Sequence, residues 1–185
     1  MKIRISLLKN SFFVQQFKQA GMLDFNFKKW NLILGWLSFT LGIAVYSLTV
    51  EPTVSFWDCG EYIATSAKLQ IGHPPGAPLY QMVGAFMAMF ALGNEHVALM
   101  VNMVSAFSSA FTLLLMFWSL VMVFQKVVPD WKENTNKAKA ILGASFVGTL
   151  SFAFTDSFWF NAGEAEVYAM ASLFIALLFW LGLRW

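Results

Sequence analysis

Long apolar runs separated by short polar segments dominate the pattern of this chain. Four of them contain at most two charged side chains each and extend over residues 30–50, 97–124, 139–159 and 165–183. A helix needs about 20 mostly apolar residues to cross a lipid bilayer. The pattern therefore predicts about four membrane-spanning helices.

A fifth apolar run, residues 79–93, is too short to be grouped with these four. As a helix, its 15 residues would extend only about 22 Å, against a hydrocarbon core of about 30 Å. The helix-breaking segment "GHPPGAP" comes directly before it. We expect this run to lie at the membrane surface, within one long outer loop over residues 51–96 that carries short interfacial helices.

The basic residues indicate how the helices are oriented, because cytoplasmic loops are enriched in lysine and arginine. Residues 1–29 carry six basic side chains and one acid, and the loop over residues 125–139 carries four lysines. These segments share one side of the membrane only if the short run does not cross. We therefore predict a cytoplasmic N-terminus, a basic cytoplasmic or interfacial segment over residues 1–29, and an uncleaved signal anchor over residues 30–50.

The composition supports an all-α integral membrane protein. Hydrophobic residues make up 58% of the chain and charged residues 12%, whereas soluble domains have about 45–50% and about 25%. The single cysteine excludes an internal disulfide. No glycine-rich phosphate loop, zinc-binding His/Cys spacing or serine-hydrolase motif is present. The basic N-terminal segment is typical of a membrane-surface segment, so we predict no nucleic-acid partner.

Acidic residues are concentrated on the predicted outer side. Two clusters, Asp58 with Glu61 and Glu164 with Glu166, lie about a hundred residues apart but on the same side of the membrane. Lys68 is the only lysine or arginine predicted there, and His73 is nearby in sequence. We expect the two acidic clusters to meet in space, around a wet cavity of the kind that tolerates irregular backbone at membrane depth.

Helix capping is the alternative interpretation of these acids. Asp58 and Glu61 are three residues apart and resemble an N-cap followed by an acid at the third helical position, as do Ser55 with Asp58 and Asn161 with Glu164. The functional interpretation is a general base or a cation site just outside the membrane. Spacing alone does not distinguish the two.

The remaining polar residues also permit two interpretations each. The prolines of "GHPPG" hold His73 in extended geometry, where its ring can contact a phosphate, carry a proton or bind a metal, or simply be satisfied in an interfacial turn. Lys68 can pair with a phosphate, or it can snorkel beside Glu61 or Glu51. Asn102 is expected to form a hydrogen bond between helices, and Cys59 to be a small packing residue.

The combination of "FWDCGEYIATSAKLQIGHPPGAPLY" with "FWFNAGEAEVYAMASLF" resembles a known family. It is similar to a multi-span membrane family of Bacteroidota that shares its domain with a vertebrate endoplasmic-reticulum protein O-mannosyltransferase, and that looks like the GT-C glycosyltransferases. The resemblance covers residues 30–185, with D-x-x-E followed by HPPG-x-P-L-Y as its most selective part. It implies a GT-C-like N-terminal helical bundle that belongs with further membrane-spanning helices or a partner subunit.

The resemblance also implies roles for individual residues. Asp58 corresponds to the first-loop acid that acts as general base, with Glu61 as its catalytic partner. The resemblance implies that His73 and Glu166 contact the substrate, and we predict that Lys68, Glu164 and Tyr168 bind substrate together with them. The turn beside the lipid-phosphate site is implied to consist of Pro74, Pro75, Gly76 and Pro78. Position 77 is alanine where the family commonly has an aromatic residue.

The activity implied is transfer of a sugar, such as mannose, from a polyprenyl-phosphate carrier to a serine or threonine of an exported protein. A multi-pass protein of a bacterial inner membrane would perform it at the outer face, in contact with membrane lipid. Glu61, Glu164 and Glu166 would orient the acceptor or hold a divalent cation such as Mg²⁺ or Mn²⁺, since such cations prefer hard oxygen ligands. Metal dependence is left open by the resemblance.

Two other classes of function remain alternatives. A non-catalytic membrane subunit that binds a lipid-linked sugar or a partner protein would fit the short chain. A small ion or proton transporter would need carboxylates inside the membrane, whereas the acids here cluster at the ends of the predicted helices.

Overall fold

The computed structural model describes residues 25–74 and 76–185, and within these residues the only regular secondary structure is helical. The all-α fold predicted from the pattern is thus confirmed. The helices, in chain order, are α1 Phe27–Thr49, α2 Cys59–Lys68, α3 Pro78–Ala88, the short 3₁₀ helix Asn94–His96, α4 Val97–Val127, α5 Thr135–Ala153, α6 Asp156–Ala162 and α7 Val167–Arg184. The prediction of a basic segment over residues 1–29 lies mostly outside the described residues.

Three helices are long and apolar enough to cross a membrane, namely α1, α4 together with the 3₁₀ turn before it, and α7. The helices α5 and α6 pass the same test only as a pair, and they are bent by 69° at a short break. The described part of the chain therefore has three to four candidate spans, which characterises a multi-pass membrane protein. The 11-residue α3 is not among them.

The span predicted over residues 139–159 is broken by a bend near its C-terminal end. Helix α5 ends at Ala153, and Thr155 adopts an extended backbone before α6 begins. The Thr155 hydroxyl donates to the carbonyl of Phe152 at 2.8 Å, which satisfies part of the freed helix end. A threonine side chain that bonds the backbone in this way competes with continued helix.

Helix α4 is the centre of the bundle, and α1, α5 and α7 pack against it. In the most apolar 18-residue stretch of α4, 56% of the residues are buried, whereas in that of α7 only 6% are. Close approach of α1 depends on Gly42, because a Cβ at this position would lie 2.7 Å from Cδ1 of Leu113. The outer faces of α1 and α7 remain apolar and exposed, as expected of helices that face lipid or further helices.

The two ends of the bundle differ in charge. We call the end formed by residues 50–96 and 154–167 the acidic end, because α1 ends there, α4 and α7 begin there, and both acidic clusters are there. The opposite end, formed by the start of α1, the loop over residues 128–134 and the end of α7, we call the basic end. Helices α1 and α5 run from the basic end to the acidic end, α4 and α7 run in the opposite direction, and α2 and α3 stay at the acidic end.

Candidate functional site

Asp58 lies at the N-cap position of α2 without capping the helix. Its side chain forms no cap hydrogen bond, and only its backbone carbonyl accepts a bond, from the amide of Tyr62 at 3.0 Å. The preceding Trp57 has a φ of 59°, in the left-handed region that is costly for a bulky residue. The capping interpretation of Asp58 is therefore wrong, and its exposed carboxylate is free to contact a ligand.

Glu61, one turn further along α2, holds the histidine of the HPPG turn. One carboxylate oxygen accepts the backbone N–H of His73 at 2.5 Å, and the other lies 2.7 Å from Nδ1 of its ring. Gly72 makes this approach possible, because a Cβ there would lie 2.8 Å from Oε1 of Glu61. Both Glu61 oxygens are thus engaged, and the turn is fastened to the helix.

The contact between Glu61 and His73 shifts the pKa of each side chain in the direction that favours its charged form. The hydrogen bonds from His73 lower the pKa of Glu61 below its usual 4.5. The hydrogen bond to Glu61 and its negative charge raise the pKa of His73 above 6.5. Since Nδ1 of His73 is occupied by Glu61, Nε2 is the ring nitrogen left to donate to an anionic ligand.

Backbone geometry completes the turn after His73. The amide of Gly76 donates to the carbonyl of His73 at 2.8 Å, and Gly76 has a φ of 73°, which favours glycine. Pro78 occupies the first turn of α3, where a missing N–H costs nothing. The predicted turn residues Pro74 and Gly76 thus lie between α2 and α3, and Pro78 begins α3, while Pro75 lies outside the described residues.

The second acidic cluster lies between α6 and α7 and is buried. Glu164 is 5% exposed and Glu166 7%. The Ser55 hydroxyl donates to Oε2 of Glu164 at 2.7 Å, and the Cys59 thiol lies 3.7 Å from Oε1 of Glu166. The capping interpretation fails here too, because Asn161 lies inside α6 and donates to the carbonyl of Ser157.

Glu166 lies in a setting that disfavours negative charge. Burial raises the pKa of Glu166, and the charges of Glu164 and Asp58 raise it further. Burial and the two glutamates raise the pKa of Cys59 to about 12, so the thiol stays protonated and acts as a weak donor. The prediction that Cys59 is a buried packing residue is confirmed by its 0% exposure.

A cavity of about 320 Å³ brings Asp58 of the first acidic cluster together with Glu164 and Glu166 of the second. Its lining comprises acidic, aromatic and amide side chains, namely Trp57, Asp58, Phe160, Asn161, Glu164, Glu166 and Tyr168. A second cavity of about 540 Å³ shares Phe160 and Glu164 with it and extends to Glu51 and Asp156. The expectation that residues a hundred positions apart would form one site is therefore met.

Other predicted site residues lie beside this cavity or away from it. Glu61 and His73 do not line it, although the charges of Asp58 and Glu166 act on His73. Lys68 is exposed at the last turn of α2 and forms no ion pair with any described residue. Among the described residues, Asp58, Glu164 and Glu166 thus form no ion pair with a lysine or arginine.

One arrangement of side chains could hold a metal ion. Single ligand atoms of Asp58, Glu61 and His73 all lie within 4.8 Å of one another. Two carboxylates and an imidazole suit Mn²⁺ better than Mg²⁺, which prefers oxygen ligands alone. A cation there would have to compete with the bond between Glu61 and Nδ1 of His73.

Sequence reasoning assigned the wrong partners to Asn102, which supports the site without carrying charge. Asn102 on α4 is fully buried, and its Nδ2 donates to the carbonyls of Glu51 and Thr53 at 2.6 and 2.9 Å. The expected bond between two helices is therefore wrong, because the acceptors belong to the irregular segment after α1. An asparagine in an apolar run signals a buried partner, but the partner itself is not encoded nearby in sequence.

Fold and site together define a multi-pass helical membrane protein with a carboxylate-lined cavity at one end of its bundle. Residues 58–185 match the family described as "Protein O-mannosyl-transferase TMEM260 N-terminal domain". Since the match covers more than half of the chain, the protein belongs to this family, and the resemblance drawn from its motifs is confirmed.

Two curated relatives agree with this assignment. A protein of Dictyostelium discoideum named "Protein O-mannosyl-transferase tmem260" is 26% identical over 159 residues, which cover 82% of this chain and 16% of the relative. The Mus musculus protein of that name is 28% identical over 142 residues, which cover 76% of this chain and 18% of the relative. The chain thus corresponds to less than a fifth of each. No solved structure matches it.

Proposed function

We propose that this chain forms part of a protein O-mannosyltransferase that transfers a sugar from a polyprenyl-phosphate carrier to a serine or threonine of an exported protein. The observation that supports this most strongly is the cavity where Asp58 meets Glu164 and Glu166, with the His73 ring beside it. The names of the relatives suggest mannose as the sugar. The basic end, rich in lysine, would face the cytoplasm of a bacterial inner membrane.

In the proposed reaction, Asp58 is the general base. The acceptor oxygen forms a bond to the anomeric carbon, its proton passes to Asp58, and the bond from that carbon to the phosphate oxygen breaks. The phosphate leaves with the electron pair, so attack from the opposite face inverts the anomeric centre. A base in this role must reach the proton that it removes, which the exposed and uncapped Asp58 carboxylate can do.

His73 is proposed to bind the leaving phosphate. Its raised pKa favours the imidazolium form, and its Nε2 is free of Glu61. A positive donor placed where negative charge develops lowers the barrier. Glu61, whose oxygens are both engaged by His73, is accordingly a positioning residue rather than a second base.

Glu164 and Glu166 are proposed to orient the acceptor, together with Tyr168 on the cavity rim. Each carboxylate has a neutral partner, Ser55 or Cys59, and neither is neutralised by a lysine or arginine among the described residues. Hydroxyl groups of a sugar or a serine side chain are suitable donors to such oxygens.

The test is sugar transfer by the intact protein carrying Asp58→Asn. Loss of a general base typically costs about 10²–10⁴-fold in rate, and we expect a loss in that range. Asp130→Asn is the matched control, since Asp130 lies at the basic end with a φ of 55°, which asparagine tolerates well. Near-wild-type transfer by a folded Asp58→Asn variant would overturn the proposal and favour a non-catalytic subunit.

A divalent cation is a separate part of the proposal. It is an alternative to the His73 imidazolium: Asp58, Glu61 and a neutral His73 would hold the cation in place of the bond between Glu61 and Nδ1, and its charge would then help to neutralise the leaving phosphate. We expect EDTA to reduce transfer and Mn²⁺ to restore it more effectively than Mg²⁺. Transfer that is unaffected by EDTA would remove the cation from the mechanism and leave the role of Asp58 intact.

A further inference from the structure

A further cavity, lined by basic instead of acidic side chains, lies at the basic end, away from the residues of the proposed reaction. Its volume is about 490 Å³. It is lined by residues from the start of α1, the C-terminal half of α4, the loop over residues 128–134 and the end of α7. The family match and the proposed chemistry assign it no role. Its walls and its charges together indicate what it would bind.

Two cations line this cavity, Lys28 on α1 and Arg184 on α7, and no acidic residue lines it. Neither cation forms an ion pair with a carboxylate in the described part of the chain, although Asp130 and Glu133 lie in the adjacent loop. The Arg184 guanidinium stacks 4.7 Å from the ring centroid of Trp180. Stacking fixes the guanidinium plane and leaves its N–H groups available for an anion.

The deeper walls are aromatic and apolar. Trp118 packs against Trp180 with ring centroids 5.9 Å apart, and Phe27 packs against Trp131 at 4.8 Å. The indole N–H of Trp118 is already used, since it donates to the carbonyl of Asn31 at 3.4 Å. Trp118 lies nine residues before the end of α4 at Val127, so the cavity extends about 14 Å from the helix end toward the apolar interior.

A site with cations at its mouth and aromatic walls inside fits an amphiphile with an anionic head. A soluble phosphate would use the cations but leave the apolar depth unfilled. Tryptophan and tyrosine side chains favour the headgroup level of a bilayer, and basic pockets between membrane helices bind anionic headgroups. The cavity opens beside two helices that are candidates to cross the membrane, α1 and α7.

We propose that this basic-end cavity binds an anionic phospholipid, with the headgroup phosphate between Lys28 and Arg184 and the first part of an acyl chain along Trp118 and Trp180. The lipid ties the start of α1 to the end of α7, two elements that belong to opposite ends of the described chain. The site is independent of the proposed sugar transfer.

The experiment measures lipid retention by native mass spectrometry on the full chain in detergent, with added phosphatidylglycerol or phosphatidylcholine. We expect phosphatidylglycerol to be retained in preference. The double variant K28Q/R184Q should lower its apparent affinity by about tenfold or more, because each basic residue near a lipid surface contributes about 1 kcal/mol. The control K29Q/K126Q changes the net charge equally at residues that do not line the cavity, and should retain the lipid.

Three results would overturn the proposal. These are equal retention of the two lipids, unchanged retention in K28Q/R184Q, and displacement of phosphatidylglycerol by millimolar inorganic phosphate, which would identify a soluble anion as the ligand. The charge-preserving variant K28R/R184K separates charge from folding: it should retain the lipid with an unchanged unfolding temperature.

Discussion

The acidic and basic ends of the bundle differ in their long-range hydrogen bonds. Aromatic pairs occur at both ends, but most hydrogen bonds between distant segments lie at the acidic end. At the acidic end, hydrogen bonds join distant segments, such as the Tyr46 hydroxyl to the carbonyl of Ala153 at 3.0 Å and the amide of Glu51 to the carbonyl of Gly163 at 2.9 Å. At the basic end, aromatic rings pack on one another, with Trp118, Trp131 and Trp180 as the main contacts. Irregular backbone must be satisfied by specific partners, whereas helix ends that meet a membrane surface need mainly shape and apolar area.

The difference indicates where chemistry is placed. Hydrogen bonds have strict geometry, so the acidic end can hold Asp58, Glu164 and Glu166 at defined positions around a cavity. Three variants at the acidic end, two of them matched to controls away from the site, sharpen or break this comparison.

The largest effect is expected from Asn102→Leu. It leaves the carbonyls of Glu51 and Thr53 without their donor beside a fully buried position. We expect a loss of about 2–3 kcal/mol of unfolding free energy, since an unsatisfied buried polar group costs about 1–3 kcal/mol. Thermal unfolding in detergent, followed by circular dichroism, measures it.

The control is Asn136→Leu, at an exposed position near the start of α5. It should leave the unfolding temperature almost unchanged. Equal sensitivity of the two positions would mean that the hydrogen bonds of the acidic end contribute no more than its surroundings.

An intermediate effect is expected from Gly84→Ala. A Cβ at this position would lie 2.5 Å from Oγ of Ser66, at the contact between α3 and α2. Overpacking typically costs about 1–3 kcal/mol, whereas alanine gains up to about 1 kcal/mol over glycine in a helix. We therefore expect a net loss, read from the same unfolding measurement.

Gly143→Ala provides the comparison, because a Cβ there meets no atom within 4 Å. This variant has the gain in helix propensity without the clash and should be neutral or slightly stabilising. If both variants have the same effect on unfolding, α2 and α3 do not pack closely enough at Gly84 to exclude a methyl group.

The smallest effect is a change in titration. Glu61→Gln removes the charge that raises the pKa of His73, so this pKa should fall toward 6.5. In the wild type, the stabilisation from His73 is complete below pH 6.5 and is lost as the pH rises through its raised pKa. The stabilisation from Glu61 is present above pH 4.5 and is lost as the pH falls through its lowered pKa.

The pair is therefore strongest between about pH 4.5 and 6.5. NMR titration of labelled histidine, with His73→Gln to assign the signal, measures the shift. Glu95→Gln, beside His96, should leave the titration of His73 where it is. An unchanged pKa of His73 in Glu61→Gln would contradict the assignment of Glu61 as its positioning residue.

Much of the helical organisation was predictable from the sequence. Apolar runs long enough to span a bilayer correspond to α1, α4 and α7, and the short run before residue 93 forms α3, which is not a candidate span. The bend after Ala153 was not predicted, because the apolar run was interpreted by its overall length. Thr155 and Asp156 are residues typical of a helix start, and a new helix does begin there.

The site was predictable in its charged members but not in its bonds. Asp58 and Glu61 have the same spacing as a helix cap, and local sequence does not say that Glu61 instead binds His73. Ser55 was interpreted as a cap and instead contacts Glu164, more than a hundred residues away. Such pairs depend on how helices pack, which single-residue patterns do not contain.

By itself, the sequence determined that this is a helical membrane protein, which family it belongs to, and that its acids gather on one side. The length of an apolar run must match the thickness of the hydrocarbon core, and lysines favour the cytoplasmic side, so both properties follow from the sequence without knowledge of the packing. Only the tertiary structure decided that Glu61 positions His73, that buried Glu164 and Glu166 share a cavity with Asp58, and that Lys28 and Arg184 enclose a second one. These are long-range contacts, and packing around α4 brings them together.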